Sequence, residues 1–297
     1  MASRINLNIV AAWRRLSLRG RLLLLVATAI LPLLAFSLIA QYLAYRDAVA
    51  RINDRTLVLA HSAAFGVEQE LQKYIAVLEV LAVAPSLLAG DLVTFRRRVE
   101  DFLGPRLPNA NLLLLSADGQ QLMNTGLPPG APLPVRQSLG SMRQAMETGG
   151  PTVSDLYHGV VVDRPVIGIN VPVKREDGSV AQILSLNPAS EAFDEIIRRQ
   201  QMPAGWFVAV FDRQGVIVTR VPNREQFVGR QAAPQFLQHL MGQRDGVVEN
   251  TTREGVPVLT AFVHSEHFGW AVAISVPRTE LTKPAYDAFI GTLAGGG

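Results

Sequence analysis

The chain has 297 residues, of which 48% are apolar and 18% are charged. This composition can bury one large core or two modest ones and is too apolar for a disordered protein. The chain contains no cysteine, which excludes zinc ribbons, thiol catalysis and disulfide scaffolds. The net charge is +3, but five arginines and no acid lie within residues 1–21, so the remainder is slightly acidic. This distribution argues against nucleic acid as a partner, because nucleic-acid binding requires a basic face on the folded body.

The first predicted element is a membrane-spanning helix over Leu22–Tyr45. These 24 residues carry no charge, and about 20 apolar residues suffice to cross a bilayer. A cleaved signal peptide and a buried core helix are the alternatives, and the length of the run favours an uncleaved anchor. The arginine-rich tail, 1–21, is expected in the cytoplasm by the positive-inside rule. The residues after 45 are therefore expected on the non-cytoplasmic side of the membrane.

A long periplasmic segment, 46–83, follows the predicted anchor. Apolar residues between Ala60 and Leu81 recur at steps of three and four, with charged and amide side chains on the other faces. This spacing predicts a long amphipathic helix. Pro85 ends the pattern, and Leu92–Leu103 predicts a short second helix.

From Pro108 onward, short apolar runs alternate with turn signals, which predicts antiparallel sheets. The predicted strands are Asn111–Ser116, Gln121–Asn124, Val166–Val173, Val180–Leu186, Trp206–Asp212, Val216–Arg220, Val256–Val263 and Trp270–Pro277. Helices are predicted over Gln137–Thr148 and Pro234–Met241. Asp118-Gly119 and Asp177-Gly178 are dipeptides typical of hairpin turns.

The second set of strands repeats the first. With Gly119 set on Gly215, Leu112, Leu114, Leu115 and Leu122 fall on Val208, Val210, Phe211 and Val218. Pro165–Ile167 then matches Pro257–Leu259, and Ile183–Leu186 matches Ala273–Val276. A repeat of about 95 residues predicts an α+β protein with two small modules, each an antiparallel sheet with helices on one side. Ala189–Arg199 is expected to connect them as a helix.

Four stretches carry a resemblance to a known family: Gly150–Leu156, Arg164–Val166 leading to Val171–Val173, Gly205–Asp212 and Gly269–Pro277. In this order they resemble the double Cache (dCache) sensors of bacterial receptors, particularly those of sensor histidine kinases of the HWE type. The resemblance implies two tandem PAS-like modules, a membrane-distal one over 84–200 and a membrane-proximal one over 201–283. It also implies that 284–297 begins a second, truncated membrane helix before a missing output domain, a histidine kinase. We expect a homodimer.

The resemblance further implies that a small ligand binds in the distal module, and we expect none in the proximal module. The amino-acid-binding subclass of the family has an Arg-x-Trp motif and a strand-end aspartate, whereas this chain has Arg136-Gln137-Ser138 and Leu186-Asn187-Pro188. Amino-acid binding is therefore not carried over, and we expect a small polar or anionic ligand of unknown identity. The candidate ligand-binding residues are Asn124, Arg136, Ser154, Asp155, Tyr157, Arg164 and Asn187.

No motif predicts a catalytic centre, a metal site or a cofactor. The histidines of His264–His267 are expected in a solvated turn, and Arg220 and Asn250 of the proximal module are expected to be structural. A receptor sensing domain is the favoured function. A membrane-anchored periplasmic enzyme and an assembly protein remain the alternatives.

Overall fold

The computed structural model describes residues 17–107, 109–199 and 202–280. Most of the predicted cytoplasmic tail and the predicted start of a second membrane helix, 284–297, lie outside the described residues. The chain divides into two compact units, one ending at Ile52 and the other beginning at Asn53.

The predicted anchor lies in a long helix, α1, which spans Leu18–Ala82 and continues through Pro32. Within the described residues, it is the one helix long and apolar enough to cross a membrane. Its most apolar stretch has a mean hydropathy of 1.9, and none of that stretch is buried. The predicted anchor and the predicted amphipathic helix are therefore parts of one continuous helix.

In the second unit, α1 buries the stripe that the sequence predicts. Ala60, Val67, Leu71 and Leu78 are at most 1% exposed, and their spacing of seven, four and seven residues places them on one face. This face belongs to the same cluster of buried side chains as Leu112 of the first sheet. The α1 stripe therefore forms part of the core of the second unit.

Six shorter helices and twelve strands follow within the described residues. The helices are α2 Pro85–Leu88, α3 Leu92–Leu103, α4 Gly140–Thr148, α5 Ala192–Arg199, α6 Arg224–Phe227 and α7 Pro234–Gly242. The strands are β1 Asn111–Leu115, β2 Gln121–Asn124, β3 Thr152–Val153, β4 Tyr157–Gly159, β5 Arg164–Val166, β6 Ile169–Lys174, β7 Val180–Asn187, β8 Phe207–Phe211, β9 Ile217–Val221, β10 Asp245–Thr251, β11 Pro257–His264 and β12 Ala271–Pro277.

One predicted strand is broken in the structure, and three strands, β3, β4 and β10, were not predicted. The expected strand Val166–Val173 is broken at Ile167-Gly168, so that β5 pairs with β4 in a separate hairpin and β6 joins the main sheet. Strand β10 was not predicted, because its side chains are mostly polar or partly exposed and show no apolar alternation. It lies at the edge of the second sheet.

The two five-stranded sheets have the same topology. Their strand orders are β2-β1-β7-β6-β3 and β9-β8-β12-β11-β10. Both first hairpins have an irregularity at the same place, between Leu114 and Leu115 in one and between Val210 and Phe211 in the other. The two-module α+β fold and the correspondence of Gly119 with Gly215 are therefore confirmed.

The pairing registers extend the correspondence to the inner strands. Leu112 faces Leu186 across the ladder, and Val208 faces Ile274, so Leu186 is equivalent to Ile274. The predicted match of Leu186 with Val276 is thus wrong by two residues. Because side chains alternate along a strand, a shift of two preserves the buried face, and the apolar pattern could not detect the error. The same ladders make Ile169 equivalent to Ala261, which agrees with the predicted match of Pro165 to Pro257.

Helices cover both faces of the sheets, which corrects the prediction of helices on one side. Leu112 and Leu114 face the cluster that includes α1 and Phe193 of α5. Leu113 and Leu115 face Met142 of α4 on the opposite side. Every side chain of β1 is buried, so neither face of this inner strand is left to solvent.

Two glycine turns offer a matched test of the duplication. Gly119 (φ +88°) and Gly215 (φ +71°) adopt left-handed conformations, and an added Cβ would lie 2.5 Å from Leu139 and 2.3 Å from Leu237, respectively. Gly178 (φ +83°) has the same backbone conformation with no atom within 4 Å of such a Cβ. We expect Gly178→Ala to cost about 1 kcal/mol of unfolding free energy.

We expect Gly119→Ala and Gly215→Ala to cost at least about 2 kcal/mol each, because a packed leucine must also move. Urea unfolding of the three variants measures the difference. Equal losses in all three would contradict the close approach of the helices α4 and α7 to these turns.

Candidate functional site

A pocket lies on the α4 side of the first sheet, covered by the β4–β5 hairpin. Its volume is about 470 Å³, including the open mouth. The lining residues are Asn111, Leu113, Gln121, Asn124, Pro134, Val135, Arg136, Gln137, Ser138, Tyr157, His158, Gly159, Val160, Val161, Val162, Val166 and Asn187. The structure thus brings together Asn124, Arg136, Tyr157 and Asn187 from the predicted set.

Arg136 is the charged group of this pocket with the least access to water. It is 5% exposed, and its Nη1 donates to Asn170 Oδ1 at 2.9 Å and to Ser185 Oγ at 2.8 Å. Its guanidinium lies over the ring of Tyr157 at 5.2 Å. Nε and Nη2 have no hydrogen-bond acceptor among the described residues. Burial lowers the pKa of the Arg136 guanidinium, yet an arginine in a protein keeps its charge.

The guanidinium occupies space that only a glycine leaves free. A Cβ atom at Gly168 would lie 2.1 Å from Nη2 of Arg136. Gly168 follows β5 at the break in the predicted strand, and its carbonyl accepts from the backbone N–H of Ser154 at 2.8 Å. The break in the strand therefore makes room for the arginine.

Amide side chains line the pocket beside the guanidinium. Asn124 is fully buried, donates to Gln121 Oε1 at 2.7 Å and accepts from Asn111 Nδ2 at 3.3 Å. The Oδ1 atom of Asn111 has no donor among the described residues. Asn187 Nδ2 donates to the carbonyl of Ile167 at 2.8 Å and to the hydroxyl of Tyr157. Two residues of the pocket lining therefore carry unpaired polar atoms among the described residues, N–H donors at Arg136 and an acceptor at Asn111.

Ser154 and Arg164, which the sequence also predicts as ligand residues, do not line this pocket. The Ser154 hydroxyl donates to the carbonyl of Asp155 and accepts from Gly168 N, both at 2.7 Å. Arg164 donates to the carbonyl of Asn109, and its Nη1 lies 3.9 Å from Glu191. Both side chains therefore bond to protein groups.

Asp155 lies outside the pocket lining as well, in a contact between the two modules that we call the Asp155 clasp. Its carboxylate accepts from Nε of Arg213 at 2.8 Å and from Nε2 of Gln214 at 3.3 Å. Arg213 Nη2 donates to the carbonyl of Val153 at 2.9 Å, and Leu156 N donates to Asp212 at 3.0 Å. The clasp therefore joins the segment before β4 to the turn between β8 and β9.

The prediction missed Asn111, Gln121 and the two bonding partners of Arg136, Asn170 and Ser185. Asn111 could have been predicted from the sequence, since it lies two residues before Leu113 and therefore on the same face of β1. No local signal marks Asn170 or Ser185, which lie in mostly apolar strands. Their role depends on an arginine that is distant in the sequence.

The comparison with solved structures finds sensory domains of receptors. The extracellular domain of the candidate histidine kinase rpHK1S-Z16 is 16% identical, with a TM-score of 0.61, over 78% of this chain and 97% of that one. The periplasmic sensory domain of the Campylobacter jejuni chemoreceptor Tlp1 is 11% identical, with a TM-score of 0.60, over 80% and 99%. The ligand-binding domain of the Pseudomonas aeruginosa PAO1 amino acid chemoreceptor PctB, in complex with L-Arg, is 17% identical, with a TM-score of 0.58, over 77% and 96%.

No model of a known protein family matches the sequence, and no curated protein sequence matches it. At these identities the likeness concerns the fold. The fold is that of the extracytoplasmic sensory domains of histidine kinases and chemoreceptors, and the resemblance to double Cache sensors is confirmed at this level.

Proposed function

We propose that this chain is the ligand-sensing region of a bacterial membrane receptor and that its first module binds a small anionic molecule. The observation that carries the proposal is the buried guanidinium of Arg136, which has no carboxylate partner and two nitrogens without an acceptor among the described residues. An uncompensated buried charge costs several kcal/mol. An anionic ligand would supply the missing partner through charge-assisted hydrogen bonds.

The other polar side chains of the pocket restrict the chemical class of the ligand. The unpaired Oδ1 of Asn111 would accept from an N–H or O–H group, so the ligand is expected to carry a donor in addition to its anionic group. The hydroxyl of Tyr157 and the amide of Asn187 bond to one another at the pocket wall. Hydroxy acids, amino acids and similar small polar acids have both features.

The Asp155 clasp supports a relay from this pocket to the second module. Tyr157 begins the hairpin that covers the pocket, two residues after Asp155, and Asp155 is bonded to Arg213. If ligand binding moves the covering hairpin, the movement would therefore act on the turn between β8 and β9 in the second sheet. We propose that the signal reaches the membrane by this route.

We further propose the domain boundaries and the membrane topology that the sequence predicts. They comprise a cytoplasmic tail over 1–21, an inner-membrane span over 22–45, a periplasmic helix over 46–83, a distal module over 84–200, a proximal module over 201–283, a second span from 284 and a histidine kinase output domain. The apolar, exposed first part of α1 supports the first span.

A reporter fused after residue 283 should be active only if it functions in the periplasm, and cytoplasmic activity would contradict the topology. A homodimer stays a prediction.

A thermal-shift screen of the full chain in detergent tests ligand binding. Organic acids, amino acids, amines and purines form the panel. We expect a small anionic compound to raise the melting temperature, because a ligand that binds the folded state at a hundred times its Kd stabilises it by about 2.7 kcal/mol. Stabilisation by cationic amines alone would contradict the proposed role of Arg136.

Replacing Asp155 with alanine tests the relay. We expect the ligand affinity to change less than about threefold, since Asp155 is outside the pocket and its ion pair with Arg213 is partly exposed. In hydrogen-exchange mass spectrometry, the ligand should still protect the β4–β5 hairpin, but its effect on the turn at residues 212–215 should be lost. Asp177→Ala, which removes a turn carboxylate bonded to Ser179 in the same module, is the matched control. Unchanged transmission in Asp155→Ala would contradict the relay through the clasp.

A further inference from the structure

The second module has a pocket at the position equivalent to the ligand pocket of the first. It has a volume of about 480 Å³, including its open mouth, and is lined by residues of β8, β9, β10, β12, the turn after β10 and the N-terminal part of α7. Its lining residues are Phe207, Ala209, Phe211, Ile217, Arg220, Ala232, Ala233, Phe236, Asn250, Thr251, Thr252, Arg253, Ala273 and Ser275. The sequence predicts no ligand in this module and a structural role for Arg220 and Asn250, yet both residues line the pocket.

The registers of the two sheets show which residues correspond. Arg136 N donates to the carbonyl of Gly119, and Ala232 N donates to the carbonyl of Gly215, so Ala232 occupies the position of Arg136. By the ladders, Phe207 is equivalent to Asn111, Arg220 to Asn124, Phe262 to Asn170, Ala273 to Ser185 and Ser275 to Asn187.

The floor of the second pocket is therefore apolar where that of the first is polar. The buried arginine and its two partners are replaced by two alanines and a phenylalanine. The rings of Phe211 and Phe236 pack at 5.7 Å in a tilted arrangement, and both side chains line the pocket. A site with this floor favours an apolar body, in particular a planar ring that can pack against the phenylalanines.

Two arginines line the pocket, and one of them has no carboxylate partner among the described residues. The lining contains Arg220 and Arg253 and no acidic residue. Arg220 is paired with Glu254 and lies over the rings of Phe207 and Phe227 at 5.1 and 4.0 Å. Arg253 donates to the backbone carbonyls of Gln231 and Ala232, which are neutral acceptors. The positive end of the pocket would attract an anionic group.

We propose that the second module binds a small amphipathic carboxylate, with an aromatic body against Phe211 and Phe236 and the carboxylate beside Arg253. This site is separate from the pocket around Arg136 and does not depend on the function proposed for it. Its chemistry selects a different ligand, since the first pocket surrounds its ligand with amides and the second offers an apolar floor.

The probe for this site is 4-fluorophenylacetate, observed by ¹⁹F NMR with the full chain in detergent. We expect the probe resonance to broaden in the presence of the protein and to sharpen again when unlabelled phenylacetate is added in excess. 4-Fluorotoluene, which lacks the carboxylate, should show no broadening beyond that in detergent alone.

Substitutions test whether the probe binds in the pocket of the second module. Arg253→Gln should weaken binding at least tenfold, and Ala273→Leu, which fills the pocket floor, should abolish it. Arg230→Gln, in the loop before Ala232, is the charge-matched control and should bind normally. Arg136→Met should also bind normally, because it alters the first pocket alone.

Absence of broadening at millimolar probe would overturn the proposal. Loss of binding in Arg136→Met, or normal binding in Arg253→Gln, would also overturn it, since the probe would then occupy another site. If Ala273→Leu does not fold, Arg253→Gln decides the question. This variant is expected to fold, because Arg253 lies in a turn and the hydrogen bond of its Nε is exposed.

Discussion

Replacing Arg136 with methionine is expected to weaken binding of the anionic ligand at least about a hundredfold. The two free nitrogens of Arg136 can each donate a charge-assisted hydrogen bond, and such bonds contribute about 1.5–3 kcal/mol each. Each 1.4 kcal/mol corresponds to a factor of about ten in affinity. Isothermal titration of the acid identified in the thermal-shift screen measures the loss.

The same substitution should leave the ligand-free protein as stable as before or more stable. Methionine fills nearly the same space without a charge, and Asn170 Oδ1 keeps its bond from Ser185 Oγ at 2.9 Å. Removing a buried cation that lacks an anionic partner relieves a desolvation cost. Arg143→Met, at an exposed position of α4, is the control and should change neither property. A large drop in stability with unchanged affinity would mean that Arg136 is structural.

Replacing Trp270 with alanine is expected to lower the free energy of unfolding by about 3–5 kcal/mol. Trp270 is 1% exposed, and its ring lies 5.7 Å from that of Phe193 on α5. Its Nε1 atom has no acceptor among the described residues, so the loss comes from packing rather than from a hydrogen bond. Urea unfolding of the full chain in detergent measures it.

The control for this prediction is Val80→Ala, at a position of α1 that is 71% exposed and should change stability by less than about 0.5 kcal/mol. Trp270 shares one cluster of buried side chains with α1 and with both sheets. We therefore expect Trp270→Ala to shift the unfolding of both modules together. A loss below 1 kcal/mol, or a shift confined to the second module, would contradict this shared core.

The elements predicted from the sequence are those with a strong local signal. Gly119 and Gly215 mark equivalent turns, since each provides the positive φ that the turn requires. The stripe from Ala60 to Leu78 gives the helical period directly. Strand β10 has no such signal, because an edge strand with exposed polar side chains lacks the alternation on which strand prediction depends.

The candidate site was only partly predictable, for a different reason. Arg136 was recognised, but its partners lie 34 and 49 residues further along the chain, and only the sheet registers bring them together. The sequence predicts Asp155 as a ligand residue because it lies on the segment expected to cover the open face of the sheet. Its carboxylate instead bonds to Arg213, 58 residues away. A polar side chain can serve a ligand or another part of the protein, and its local sequence does not distinguish the two.

The most direct test of the central claim is a structure of the sensing region with the stabilising acid bound. We predict that the anionic group lies within hydrogen-bonding distance of Nη2 or Nε of Arg136, beneath the β4–β5 hairpin. A donor group of the ligand should face Oδ1 of Asn111. An acid bound elsewhere, with both nitrogens of Arg136 still unpaired, would contradict the account.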